Sequence, residues 1–182
     1  MSLNKVCADA DLQTLKVARI DLGLSRFQCA TFRVYSTGYA ASMPDTQHTT
    51  ARWRGERWTF DATTTTGHTI VMDGAHSPED DGPSPMELLL TALAGCTGVT
   101  VLSILQKKRE QVTGLEVRVE GRRAEEHPKV YVAIDVVYRV QGAVKPESIE
   151  RAIELSEEKY CGVSATLRHT ATMTHRFEIV GS

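Results

Sequence analysis

The chain has 182 residues, of which 41% are hydrophobic and 24% are charged, and its formal net charge is −2 at pH 7. These values are typical of a globular protein with enough apolar residues to bury a sizeable core. The near-neutral charge argues against a general attraction to nucleic acid or to an anionic membrane surface. No apolar segment of the secretory type stands at the N-terminus, so we expect a cytoplasmic protein.

The predicted elements begin after an N-terminal stretch that differs from the rest of the chain. Residues 1–48 have weak periodicity and no clear capping signals, and we interpret them as an extension. Residues 49–182 are predicted to form one domain. Its first part reads as a three-stranded meander, because short alternating runs are separated by turn residues. The predicted strands are 49–53, 58–65 and 68–72, followed by a polar loop over 73–83.

A long helix is predicted next, with several agreeing signals at its start. Ser84 is a good N-cap, Pro85 suits the first helical position, and Glu87 completes a Ser-x-x-Glu capping box. The helix should run to about Arg109. Its residues are apolar on most faces, which favours a central buried helix over a membrane span because threonines, a serine and glycines interrupt the apolar run.

The rest of the chain is predicted to form two strands, a helix and a last strand, in that order. The strands are predicted over 114–123, 129–140 and 170–180, and the second helix over 146–160, ending at Cys161-Gly162. The order βββ-α-ββ-α-β predicts an α+β fold.

The chain contains four cysteines, Cys7, Cys29, Cys96 and Cys161, and none of them forms a Cys-x-x-Cys pair. A zinc site and a disulfide scaffold are therefore poor explanations. The histidines have no metal-ligand spacing, and the chain has neither a phosphate-binding loop nor a Gly-x-Ser-x-Gly motif. Buried inert thiols and a functional thiol pair both remain open.

Cys96 lies deep in the first helix between Gly95 and Gly98, each of which costs about 1 kcal/mol relative to alanine. Two such residues beside one thiol indicate that something large approaches the helix there: another helix, a partner subunit or a substrate. Cys161 stands at a predicted helix end, where the negative end of the dipole raises a thiol pKa. Cys161 therefore suits a resolving thiol better than an attacking thiolate, although each cysteine could equally be a buried structural residue.

A reactive thiolate at neutral pH needs a nearby cation, since the helix dipole fades within the first turn. We considered Arg52, Arg54, Arg57 and Arg168, and Arg54 is preferred because its hairpin should fold near the central helix. Glu87 is a weaker candidate for the same site. It is nine residues from Cys96, so the two side chains face opposite sides of a regular helix.

Two cysteine motifs resemble the OsmC/Ohr family. The first is Gly82-Pro83-Ser84-Pro85-Met86-Glu87-Leu88-Leu89-Leu90, followed by Ala94-Gly95-Cys96-Thr97, and the second is Lys159-Tyr160-Cys161-Gly162-Val163-Ser164. The segments 67–74 and 101–105 are similar to the YhfA-like branch. The resemblance, which covers residues 49–181, implies two long helices packed between sheets. It also implies an intertwined homodimer with active sites at the subunit interface.

The resemblance further implies a thiol-dependent reductase of organic hydroperoxides that acts in the oxidative stress response. Cys96 would attack the peroxide and become a sulfenic acid, and Cys161 would condense with it to form a disulfide. An external dithiol, similar to dihydrolipoamide, would restore both thiols. No metal, flavin, nucleic acid or membrane partner is expected.

The chain departs from the family pattern in two respects. Met86 occupies the position directly after the proline, where the family's peroxidases carry a glutamate, and Glu87 stands one place later. No arginine aligns with the family's catalytic arginine, and Arg54 is only the nearest one in the corresponding hairpin. A dimer on the same fold that binds a small apolar ligand or senses redox state is therefore an alternative, and a structural dimer with two buried cysteines is a third.

Overall fold

The structure, a computed structural model, describes residues 46–74, 79 and 81–180. Almost all of the predicted extension, including Cys7 and Cys29, lies outside the described residues. The described part is a mixed α+β fold, as the sequence predicts, and its strands form two three-stranded sheets.

The first sheet is the predicted antiparallel meander of β1 (Thr49–Trp53), β2 (Thr59–Thr64) and β3 (Thr69–Asp73). Strand β2 begins one residue later than predicted. Gly55 and Arg57 have positive φ angles of 94° and 53° in the preceding turn. Trp58 therefore stays outside the ladder, and 69% of its surface is exposed.

Helix α1 (Pro85–Lys107) begins at the predicted residue, and its last turn is capped by Lys108. One stripe of the helix is fully buried: Leu93, Thr97, Val101 and Leu105. The opposite side is exposed, so the expectation of a buried helix holds for one face only within this chain. By length and apolar composition α1 could also cross a membrane, although a core helix of a soluble protein meets the same criterion.

The second sheet consists of β4 (Gln111–Arg123), β5 (Tyr131–Ala143) and β6 (Thr172–Val180). Strand β5 lies in the middle, antiparallel to β4 and parallel to β6. Its inward residues form the centre of the core with the buried stripe of α1. The parallel pairing of β5 and β6 requires a long crossover between them, and the remaining helices form that crossover.

The crossover differs from the single helix that the sequence predicts. It contains α2 (Pro146–Leu155), a π-helix (Ser156–Tyr160) and α3 (Gly162–Leu167). Cys161 has extended backbone angles between the last two and is the N-cap of α3. Its N–H donates to Ser156 O at 2.8 Å, which closes the wider π-helical turn. The predicted end of the second helix at Cys161 agrees with this break, but Gly162 begins α3 instead of stopping the chain's helical run, so the element order gains one short helix.

Candidate functional site: two adjacent thiols

Cys96 lies at the border between the buried and exposed sides of α1, and it is half-buried. The flanking glycines have different surroundings. A Cβ on Gly98 would lie 3.2 Å from Val117 Cγ2, so β4 approaches the helix closely there. A Cβ on Gly95 would meet no atom of the described chain within 4 Å. The close approach that the sequence predicts is therefore present at Gly98 alone within the described residues.

Cys161 is almost completely buried, with 2% of its surface exposed. Burial raises the pKa of its thiol to about 11, and the neighbouring Cys96 thiol acts in the same direction. The N–H of Ser164 donates to Cys161 Sγ at 3.3 Å and opposes the rise. The predicted direction of the shift agrees with the structure, but its cause is desolvation rather than the negative end of a helix.

The fold thus brings two thiols from distant parts of the chain close enough to influence each other's electrostatics. Cys96 comes from α1, and Cys161 comes from the junction between the π-helix and α3. At neutral pH Cys161 carries its proton, because its pKa lies well above 7. A protonated, buried thiol beside a more accessible one is an arrangement from which a disulfide can form after the accessible thiol has been oxidised.

Arg54, the preferred cation in the sequence, forms ion pairs with two carboxylates. Its Nη2 and Nε lie 2.8 and 3.1 Å from the oxygens of Asp61, and its Nη1 lies 3.1 Å from Asp81. These contacts raise the pKa of the Arg54 guanidinium and lower that of the Asp61 carboxyl, mainly through their shared hydrogen bonds. Arg54 therefore joins the first hairpin to the segment that precedes α1. Arg168, another candidate, donates to the backbone oxygen of Glu157.

Glu87 closes the predicted capping box. Its Oε2 accepts from Ser84 N at 2.8 Å and from Ser84 Oγ at 2.7 Å, while Glu87 N donates to Ser84 Oγ at 3.3 Å. Met86 packs against the core, and its backbone oxygen accepts from Tyr131 Oη at 2.9 Å. The start of α1 is thus fixed by its own cap and by β5.

Three residues near the thiols were not identified from the sequence: Tyr138 on β5, Glu157 in the π-helix and His175 on β6. His175 Nδ1 lies 2.7 Å from Glu157 Oε1 and 3.3 Å from Tyr138 Oη, and the two rings are stacked with their centroids 6.1 Å apart. Burial lowers the pKa of His175 to about 4 and raises that of Glu157. Burial also raises the pKa of Tyr138 to about 12, with smaller contributions from both thiols. No spacing in the sequence reveals this group, because its members stand on three separate elements.

Within residues 46–74, 79 and 81–180, no group of three or more histidine, cysteine or carboxylate side chains is arranged to hold a metal ion. The chemistry that the described residues offer at this place is that of the two thiols and of the polar side chains around them.

Comparisons with known proteins identify the family. The profile of a family described as "OsmC-like protein" matches residues 78–176. Protein YhfA of Escherichia coli is 40% identical over 128 residues, which are 70% of this chain and 94% of that protein. A hypothetical protein from Aquifex aeolicus has a crystal structure with a TM-score of 0.69 and 32% identity, covering 76% of this chain and 99% of its own.

A more distant structure shares the fold. The organic hydroperoxide resistance protein OsmC of Legionella pneumophila has a TM-score of 0.58 and 14% identity, covering 75% of this chain and 99% of its own. The resemblance to the OsmC/Ohr family is thus confirmed by the family profile, by Protein YhfA and by the solved structures. The chain belongs to the OsmC-like family, in its YhfA-like branch.

Proposed function

We propose that this protein is a thiol-dependent peroxidase that reduces organic hydroperoxides through Cys96 and Cys161. The observation that carries the proposal is that the fold brings the two thiols close together, one half-buried and one buried and protonated at neutral pH. Membership in the OsmC-like family supports it, since a structural neighbour in that family is named an organic hydroperoxide resistance protein.

The proposed reaction has two steps on the protein. The Cys96 thiolate attacks one peroxide oxygen, the O–O bond breaks, and the alkoxide leaves as an alcohol after taking up a proton. Cys96 is then a sulfenic acid. The sulfur of Cys161 attacks the sulfur of this sulfenic acid, its proton leaves with the hydroxide as water, and the Cys96–Cys161 disulfide forms.

A dithiol completes the cycle. It reduces the disulfide by thiol–disulfide exchange, transfers two electrons and two protons to the cysteines, and becomes a cyclic disulfide itself. We propose a small dithiol similar to dihydrolipoamide as this reductant, with no metal or flavin. A reducing compartment such as the cytoplasm would maintain such a dithiol in its reduced form.

We also propose that the protein acts as a homodimer with the thiols at the interface. Leu88, Ala92, Gly95, Val99 and Leu102 follow each other at alternating intervals of four and three residues along α1, and we call them the α1 seam. This spacing is that of paired helices. Ala92, Gly95 and Val99 are exposed in the single chain, with 63% of the Val99 surface accessible. A second copy packed on the α1 seam would cover these apolar residues beside Cys96.

The direct test is peroxide consumption by the purified protein. With dithiothreitol or dihydrolipoamide as reductant, the parent should consume cumene or tert-butyl hydroperoxide catalytically. Cys96→Ser should lower the rate at least a hundredfold, because it removes the attacking sulfur. Without added dithiol, Cys161→Ser should consume one equivalent of hydroperoxide and retain a sulfenic acid on Cys96 that dimedone labels and mass spectrometry detects, whereas the parent should form the disulfide.

The double variant Cys7→Ser/Cys29→Ser is the matched control, since it removes two thiols that the mechanism does not use. Its turnover should equal that of the parent. Unchanged turnover in Cys96→Ser would refute the proposal.

A dimer that binds a small apolar ligand or senses redox state is the second candidate. Two observations favour it: Met86 occupies the place of the peroxidases' glutamate and packs in the core, and Arg54 is paired with Asp61 and Asp81. This candidate predicts saturable ligand binding and a reversible Cys96–Cys161 disulfide, with hydroperoxide turnover no faster than that of free dithiothreitol.

A further inference from the structure

The side chains of Glu157, His175 and Tyr138 form a continuous polar cluster beside the thiol pair, and we call it the Glu–His–Tyr cluster. His175 is nearly buried, with 9% of its side chain exposed, and Tyr138 is fully buried. A buried polar group costs free energy unless it is hydrogen-bonded. The 2.7 Å and 3.3 Å contacts of His175 Nδ1 provide these bonds in the folded protein.

The cluster contacts both segments that carry cysteines. On one side, Tyr138 lies close enough to Thr97, the residue after Cys96 on α1, for the Thr97 side chain to act on the pKa of its phenol. On the other, Glu157 stands in the π-helix, whose last backbone bond joins Cys161 N to Ser156 O. Tyr138 also interacts electrostatically with the sulfurs of Cys96 and Cys161.

The π-helical turn is held at Glu157 from two directions. Its carboxylate bonds to His175 on β6, and its backbone oxygen accepts from Arg168 at the end of α3. A π-helix has looser packing than an α-helix and is often found at functional sites. The position of Cys161 relative to Cys96 therefore depends on side-chain contacts that stabilise this winding.

We propose that the Glu–His–Tyr cluster is a positioning device that holds Cys161 against Cys96 and so favours their disulfide. Glu157 acts through its hydrogen bond to His175 Nδ1, and Tyr138 contacts the same atom through its hydroxyl and stacks on the imidazole ring. The inference rests on the proposed thiol pair but not on the identity of the oxidant. It goes beyond the cysteines by assigning residues that set the stability of their disulfide.

The experiment is a redox titration of the purified full-length protein with reduced and oxidised dithiothreitol. The disulfide accepts two electrons and two protons from dithiothreitol, which becomes its cyclic disulfide. Glu157→Ala should lower the equilibrium constant for disulfide formation about tenfold, because the two sulfurs are held together less often. Tenfold corresponds to a reduction potential about 30 mV less negative.

Conservative variants distinguish positioning from a general loss of structure. Glu157→Gln keeps an oxygen that accepts from His175 Nδ1, and it should stay within twofold of the parent. His175→Asn keeps an N–H near the position of the ring Nδ1 and should also stay close, whereas His175→Phe should behave like Glu157→Ala. The double variant Glu157→Ala/His175→Phe should be no worse than either single change, because both remove the same contact.

Glu154→Ala is the matched control, since this carboxylate pairs with Arg151 at 2.9 Å on the exposed side of α2. Its equilibrium constant should remain within twofold of the parent. A parent-like constant for Glu157→Ala would refute the inference, and so would equal losses in Glu157→Gln and Glu157→Ala. If the parent forms the disulfide but does not turn over hydroperoxide, the proposed function fails and the positioning role stands; if the parent forms no disulfide, both fail.

Discussion

At the scale of single residues, His175 links the site to pH. Burial lowers its pKa from 6.5 to about 4. Between these values the unfolded chain binds more protons than the folded protein, so the unfolding free energy falls as the pH falls through this window. The shift corresponds to at most about 3 kcal/mol, which the nearby Glu157 carboxylate reduces. The raised pKa of Glu157 acts in the opposite sense on acidification.

We predict that the unfolding free energy of His175→Asn falls less steeply on acidification than that of the parent. Above pH 6.5 the unfolding free energy of the variant should be equal to that of the parent or lower. Towards pH 4 the parent should lose more unfolding free energy than the variant, because asparagine does not take up the proton. Urea unfolding at fixed protein concentration, repeated at half-unit intervals from pH 7 to pH 4, measures this. Parallel curves for the two proteins would show that His175 titrates in the folded state much as it does in the unfolded chain.

The residues at the site differ in how far the sequence reveals them. Cys96 and Cys161 are identified because each stands in a motif of its own, with a rare residue type at its centre. His175 stands in an alternating strand among exposed polar residues, and Tyr138 looks like any aromatic residue of a buried strand. Only the parallel pairing of β5 and β6, which puts Tyr138 and His175 close together, gives them a shared role.

At the scale of elements, the strands and the start of α1 are predicted well because their signals are local. Turn residues separate the strands, and a proline follows the N-cap of α1. The crossover after α2 is predicted poorly. Glycine after a helical run usually marks a helix end, but Gly162 begins α3, and Cys161 is the residue that interrupts the helix. The change to π winding depends on contacts of Glu157 with β6 and α3, which no local pattern encodes.

The capping box of α1 gives a prediction at this scale. Ser84→Ala removes the hydroxyl that accepts from Glu87 N and donates to Glu87 Oε2. The loss should lower the unfolding free energy by about 1 kcal/mol, the usual cost of losing an N-cap side chain. Chemical denaturation measures the loss, and Ser84→Thr should recover most of it because threonine presents the same oxygen. An effect of Ser84→Ala near zero would show that the remaining contacts of Glu87 are sufficient to fix the helix start.

At the scale of the whole molecule, a single chain leaves part of its apolar surface exposed to water. Helix α1 buries one stripe against its own sheet and leaves Ala92, Gly95 and Val99 of the α1 seam exposed on the other side. Trp53 and Trp58 of the first hairpin are also more than half exposed. Large exposed apolar patches are typical of interaction sites, and we propose that the α1 seam is one. The position of Cys96 at the edge of the seam connects this surface to the chemistry, since a subunit packed there would shield the thiol from water.

The last prediction tests that surface. Val99→Glu places a carboxylate in the α1 seam, where a second helix would bury it without a partner, at a cost of several kcal/mol. Sedimentation velocity should show a dimer for the parent and a dissociation constant at least tenfold higher for the variant. Val130→Glu is the matched control, because Val130 is apolar and 39% exposed but lies in the β4–β5 connection.

Gly95→Ala provides a second test of the same surface. In an isolated chain it should stabilise α1 by up to about 1 kcal/mol, since the new Cβ meets nothing. In a dimer packed closely at Gly95, the same change should instead weaken association, because the new Cβ would meet the partner helix. A monomeric parent protein, or a Val99→Glu variant that dimerises as well as the parent, would exclude the α1 seam as the interface.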